Sequence, residues 1–257
     1  MGKNRGEMNM QGFLSSTAHC SVRFQDLPGT GVPIVFVHGL GCASSYEYPR
    51  VVADPLFTGK RAILLDLPGC GYSEKPQDYS YSISDQAKVV AELVAHLGLN
   101  QCYVYGHSMG GSISIEAAEL LGERLLGLVV SEPNFHPGGG FFSQQICRYS
   151  ESEFVSTGWM QMVEQETSPW AGSLAADAPW AVWRGASSLV SGSNWFARFM
   201  ALPMAKQLVF GEHSLPDNDF TALQDAGVST VVLPGCGHCM SWENPAALAG
   251  ALAGFCK

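Results

Sequence analysis

Val104-Tyr105-Gly106-His107-Ser108-Met109-Gly110-Gly111 is the stretch that decides the fold. An apolar run feeds the pattern Gly-x-Ser-x-Gly, the spelling of a sharp strand-to-helix turn that exposes a serine oxygen above a sheet. Gly106 and Gly110 leave the room that a Cβ would fill, and such a turn holds its serine under backbone strain. Ser108 is therefore the candidate nucleophile. A glycine-rich turn with an idle serine is spelled the same way, so the neighbouring motifs must separate the two readings.

Ile34-Val35-Phe36-Val37 reads as a second buried strand, and it ends in His38-Gly39-Leu40-Gly41, a loop whose glycines leave backbone N–H groups free. Acyl transfer places negative charge on a carbonyl oxygen, and two pre-aimed N–H donors stabilise it at little reorganisation cost. The backbone N–H groups of Leu40 and Met109 are the natural pair for such an oxyanion hole. Near the C-terminus a third strand, Thr230-Val231-Val232-Leu233, is followed by Pro234-Gly235-Cys236-Gly237-His238. A loop histidine at one sheet edge is where a base for Ser108 would sit, so His238 is the candidate general base.

In this order the motifs resemble the α/β-hydrolase fold superfamily of serine hydrolases, from about residue 20 to the C-terminus. The matching pieces are His38-Gly39-Leu40-Gly41, Asp66-Leu67-Pro68-Gly69-Cys70-Gly71-Tyr72-Ser73, Gly106-His107-Ser108-Met109-Gly110-Gly111 and Gly237-His238. The resemblance implies Ser108 as nucleophile, His238 as base, and Leu40 and Met109 as the oxyanion hole.

The chain departs from the commoner pattern at the acid. In most relatives an aspartate follows the penultimate strand in a Gly-x-x-Asp turn, whereas Gly211-Glu212-His213-Ser214 has a serine there. An ionised carboxylate facing the second ring nitrogen is needed to fix the tautomer and stabilise the imidazolium. Leu128-Val129-Val130-Ser131-Glu132 delivers Glu132 at the end of the strand after the elbow helix, a placement used by a minority of the superfamily. Glu132 is the preferred acid, with Glu212 and Asp217 as rivals.

Alternating strand and helix signals predict an α/β domain with a mostly parallel sheet covered on both faces. Strands are expected near 21–26, 34–38, 61–66, 102–105, 126–131, 205–210 and 229–233, and helices near 83–97, 110–121, 217–226 and 245–256. A chain of 257 residues with 46% hydrophobic content fills one such core plus an insertion. The core is assigned to residues 1–133 and 204–257, and a helical cap to residues 134–203. The cap segment holds Trp159, Trp170, Trp180, Trp183 and Trp195, five of the six tryptophans, and is too long for a structureless loop. Trp159, Trp183, Trp195 and Phe135 are the expected lining of an apolar acyl or aryl pocket roofed by the cap.

With 14 basic and 23 acidic residues the chain carries −9 and has no Lys/Arg cluster, which argues against nucleic acid and anionic membrane surfaces as partners. No run of eighteen apolar residues occurs, and residues 1–7 lack an apolar signal core, so a cytoplasmic location is expected. The eight cysteines are scattered, and the lone Cys236-x-x-Cys239 has no second pair, so neither a metal nor a disulfide framework is expected. Cys42, Cys70 and Cys236 fall in loops expected at the active-site rim. No cofactor is called for.

The reaction these residues suit is hydrolysis of a small carboxylic ester or lactone with an apolar acyl or aryl part, through an acyl-enzyme. The resemblance leaves other uses of the scaffold open: carbon–carbon bond hydrolysis, cofactor-free perhydrolysis, acyl transfer to an alcohol or thiol, and a ligand receptor with a degenerate site. Haloalkane dehalogenases and epoxide hydrolases of this fold need an aspartate at the elbow, where this chain has Ser108.

Overall fold

The computed structural model describes residues 10–257; the stretch 1–7, read above for a signal core, lies outside them. Eight strands form one sheet in the order β1-β2-β4-β3-β5-β6-β7-β8. They are β1 (Gln11–Leu14), β2 (Ser21–Leu27), β3 (Thr30–Val37), β4 (Lys60–Asp66), β5 (Cys102–His107), β6 (Leu125–Ser131), β7 (Ala205–Gly211) and β8 (Ser229–Leu233). β1 and β2 pair antiparallel, as do β2 and β4, and every pairing from β4 through β3 to β8 is parallel.

The central strands read as unbroken apolar runs because both of their faces are buried. Val35 and Val37 of β3 join the core under the helices Ile83–His96 and Met109–Leu121, while Ile34 and Phe36 join the opposite core under Pro245–Phe255. That split follows from the two-residue period of a strand. Polar side chains cap the flanking helices: Ser82 accepts from Asp85 N–H, and Asn244, preceding Pro245, accepts from Ala247 N–H at 3.0 Å.

Two elements differ from expectation. β1 is a four-residue edge strand of which only Phe13 is buried, too short for its alternation to register in the sequence. β3 begins at Thr30 rather than Ile34, with a register shift between those residues around Gly31 and Pro33. A proline cannot donate to a ladder, which is why the stretch before Ile34 does not look like strand.

Between β6 and β7 the chain is helical, with its longest helix at Pro179–Ser191. A small core of its own, including Ile146, Phe154, Trp159, Leu174 and Val182, holds this insertion together. Polar contacts tie it to the sheet domain. Trp195 Nε1–H donates to Glu116 Oε1 at 2.8 Å, Arg198 pairs with Glu116 and Glu119, and Gly71 N–H donates to Asp177 Oδ1 at 3.0 Å. Among the described residues no helix is long and apolar enough to cross a membrane.

Trp195 is 2% exposed and joins the insertion to the elbow helix through both its ring and its N–H. Trp195→Ala is expected to destabilise the fold by about 3–5 kcal/mol, the usual cost of emptying a buried aromatic site. Chemical denaturation checks this.

Candidate active site

β5 ends in His107, and Ser108 turns the chain into the helix Met109–Leu121 with φ 53° and ψ −122°. This is a conformation that a non-glycine residue adopts only when its surroundings impose it. The packing of the glycines does so. A Cβ on Gly110 would stand 2.3 Å from the carbonyl oxygen of Val37, and one on Gly106 would stand 2.3 Å from that of Gly110. Ser108 N–H donates to Ser131 O at 2.9 Å, which fastens the turn to the end of β6. Met109 opens the helix, so its N–H is one of the four that no helix satisfies internally.

The loop after β3 is held by a buried histidine. His38 Nδ1 lies 2.9 Å from Gly39 O, and His38 Nε2 accepts from Leu67 N–H at 3.1 Å. An accepting Nε2 requires the neutral tautomer with its proton on Nδ1, and burial favours that form by lowering the ring's pKa. The Gly39 carbonyl and the Leu40 N–H belong to one trans peptide unit. Drawing the carbonyl toward His38 therefore turns the Leu40 N–H the other way. Gly39 itself packs against the elbow, where a Cβ would be 3.3 Å from that of Ser108.

His238 follows β8, and its Nδ1 lies 2.6 Å from Glu132 Oε2. Glu132 sits directly after β6 with φ 39°, its N–H donating to Val209 O and its Oε1 accepting from Gly211 N–H at 2.9 Å. Burial alone would raise the Glu132 carboxyl. The bonds from His238 and Gly211, with the Ser214 hydroxyl beside them, outweigh burial and hold it below its ordinary value. Ser214, standing where relatives carry the acid, thus faces the carboxylate supplied by the next strand. The two rivals are engaged elsewhere: Asp217 Oδ1 caps the helix Asn218–Asp225 by accepting from Phe220 N–H, and Glu212 Oε2 accepts from Gly235 N–H.

His107 is a participant that the sequence reading passed over. Its ring centroid is 4.6 Å from that of His238, and its Nδ1 lies 2.9 Å from Ser131 Oγ, which in turn meets the Tyr105 hydroxyl at 2.8 Å. Burial first, and the neighbouring His238 second, push His107 down to about 3, so it stays neutral beside His238. Its place immediately before Ser108, on the last residue of β5, was the available signal.

Ser108 and His238 open on one cavity of about 600 Å³, which Gly39 and Leu40 also border. A family model described as the alpha/beta hydrolase fold matches residues 32–152. Among solved structures, N-acyl homoserine lactonase AidH complexed with N-butanoyl homoserine superposes with a TM-score of 0.74 at 22% identity, covering 96% of both chains. An esterase from Thermogutta terrifontis superposes with a TM-score of 0.79 at 20% identity, covering 95% of this chain and 96% of the esterase. The chain has the α/β-hydrolase fold, and the family model matches just under half of it.

In sequence, the chain is 36% identical over 124 residues to haloalkane dehalogenase 2 of Mycobacterium tuberculosis, covering 48% of this chain and 43% of the dehalogenase. It is 41% identical over 86 residues to the uncharacterized hydrolase YugF of Bacillus subtilis, covering 33% and 30% respectively. The matched stretch thus spans less than half the length of either relative.

The pocket assignments made from the sequence require correction, because none of the four named rings borders the cavity. Trp159 is buried in the insertion's own core, Trp195 and Phe135 lie in the main core, and Trp183 turns its N–H to Tyr149 O. Aromatic walls come instead from Phe141, Phe142, Trp170 and Trp242. Trp242 lies outside the insertion, four residues after His238, and so escaped a search confined to the cap. Cys42 borders the cavity as expected, but Cys70 and Cys236 are buried away from it and Cys239 takes their place. Burial pushes the Cys239 thiol up to about 11, chiefly through desolvation, and raises Cys42 as well. Thiols held in that form are poor nucleophiles.

The depressed Glu132 carboxyl links the site to stability. Its folded value lies below its unfolded one, so the stabilisation is fully present above the unfolded range and is lost as pH falls through the folded value. At neutral pH wild type should melt above Glu132→Gln, and the gap should close as pH falls below the ordinary value of 4.5. Thermal melts of both proteins across that range check the sign.

Proposed function

We propose that this α/β-hydrolase is a serine hydrolase cleaving a small carboxylic ester or lactone, with Ser108, His238 and Glu132 as its triad. The observation that carries the reading is the 2.6 Å pair of His238 Nδ1 and Glu132 Oε2 on the same cavity as a serine strained to φ 53°. A carboxylate on Nδ1–H leaves Nε2 unprotonated and able to take the Ser108 proton. Ser108 Oγ then attacks the carbonyl carbon, and the N–H groups of Leu40 and Met109 stabilise the resulting oxyanion. His238 returns the proton to the leaving alcohol oxygen as the carbon–oxygen bond breaks. Water, deprotonated by the same ring, releases the acid and regenerates Ser108.

The activities of similar proteins support this class: the superposed structures include an N-acyl homoserine lactonase and an esterase. The dehalogenase relative is a weaker guide, since displacement of halide in that family relies on an aspartate at the elbow and this chain has Ser108. A hydroxyl activated by a base suits acyl transfer. The cytoplasmic location inferred from the sequence fits a small-molecule substrate.

A fluorophosphonate should label Ser108 rapidly, as read by peptide mass spectrometry, and Ser108→Ala should abolish both labelling and hydrolysis across a panel of esters and lactones. Turnover by Ser108→Ala within tenfold of wild type would remove the serine from its role. Under single-turnover conditions Glu132→Gln is expected to lower the chemical rate by roughly 10³ to 10⁴, as loss of a triad acid does elsewhere, while Asp217→Asn changes it little. The reverse pattern would make Glu132 structural.

A further inference from the structure

At one end the cavity wall carries a carboxyl group for which the proposed acyl transfer has no use. Glu47, in the helical turn Ser44–Glu47 after β3, is only 6% exposed and borders the cavity together with Ser108 and His238. Its donors are all neutral. Ser241 Oγ–H reaches Oε2 at 2.8 Å, Trp242 Nε1–H reaches Oε2 at 2.7 Å, and Ser173 Oγ–H reaches Oε1 at 3.3 Å.

Among the described residues no Lys, Arg or His lies within ion-pair distance of Glu47. Arg50, three residues on, is exposed and lies over the Trp242 ring, 3.6 Å from its centroid, instead. A buried carboxylate without a counter-charge is costly, and chains normally pair it. Burial raises the Glu47 carboxyl above its ordinary value, and its bonds from Ser241, Trp242, Ser173 and Cys42 offset that only in part.

The surroundings specify the missing counter-charge. A second carboxyl, Glu166, borders the same cavity, and it too has no cationic partner among the described residues. Phe142 packs against Trp170 at 4.9 Å, and both face the cavity with Trp242. Aromatic faces attract cations, most of all when water is displaced. Among the described residues no lysine or arginine borders the cavity, and a net charge of −9 draws cations toward the molecule.

We propose that the wall formed by Glu47, Glu166 and Trp170 is a cation subsite, and that the preferred ester carries an ammonium group reaching it. The proposal rests on the serine-hydrolase reading above. It narrows the substrate from an apolar ester to an apolar ester with one positively charged end. Glu47 is a specificity residue in this account, remote from the bonds that break.

Isosteric pairs test it, one with the charge on the alcohol side (acetylthiocholine against neohexyl thioacetate) and one on the acyl side (betaine against tert-butylacetyl thioesters). In at least one pair, wild type should favour the cation in kcat/KM by about tenfold or more, the scale of one desolvated cation–aromatic or ion-pair contact. Glu47→Gln should bring that ratio close to one while still hydrolysing the neutral member, and Glu166→Gln should lower it less. Equal or inverted preference in both pairs, or a preference that survives Glu47→Gln, would overturn the subsite while leaving the esterase reading intact.

Direct binding separates the two proposals. Calorimetry on Ser108→Ala should show choline binding more tightly than neohexyl alcohol, with the difference shrinking as salt is raised. That result would support the subsite even if no ester were turned over. It also serves if Glu47→Gln fails to fold, and the absence of any preference for choline would overturn the subsite in either case.

Discussion

The carbonyl oxygen of Val37 and that of His38 stand where a Cβ on Gly110 would have to go. This approach of the elbow helix to the end of β3 is the constraint on which the site depends. It brings the loop after β3 against Ser108 and holds the serine at a positive φ that its own side chain disfavours. Only glycine permits the contact, and a parallel pairing of β3 with β5 is needed to bring the two strand ends level. The register Val37↔Gly106 does this, so loops distant in sequence meet at one edge of the sheet.

The end of β6 carries a second convergence. Ser131 O receives the Ser108 N–H, Ser131 Oγ meets His107, and the next residue, Glu132, turns back to His238. The insertion departs from the same point, so the segment that covers the cavity is anchored beside Glu132. Glu116 fixes its far end by receiving both the Trp195 N–H and the Arg198 guanidinium. Glu47 fixes the near end, since it joins a turn after β3, an insertion helix and the helix after His238. Each tie is a carboxylate in contact with the insertion, but Glu116 has an arginine for a partner and Glu47 has none among the described residues. That asymmetry is the physical basis for assigning a ligand's charge to one and a packing role to the other.

Local sequence determined much of this protein. Short β-branched runs, a serine cap before Ile83, an Asn-Pro start at 244–245 and glycines around Ser108 are decided by neighbours a few residues away. The parallel sheet, its helices and the strand-end placement of Ser108, Glu132 and His238 were legible for that reason. β1 and the start of β3 were not, because a four-residue edge strand and a proline-bearing bulge have no local period of their own.

Tertiary structure alone decided which carboxylate faces His238, since Glu132, Glu212 and Asp217 all end strands or open helices and differ only in the donors that packing brings to them. It also decided which rings line the cavity. A tryptophan looks the same in sequence whether it glues the insertion to the elbow helix, as Trp195 does, or borders the cavity, as Trp170 and Trp242 do. For Trp195 and Trp242, what separates them is the polar atom waiting at the end of the indole N–H. Glu116 draws Trp195 into the core and Glu47 holds Trp242 at the wall, and both contacts join residues more than seventy positions apart.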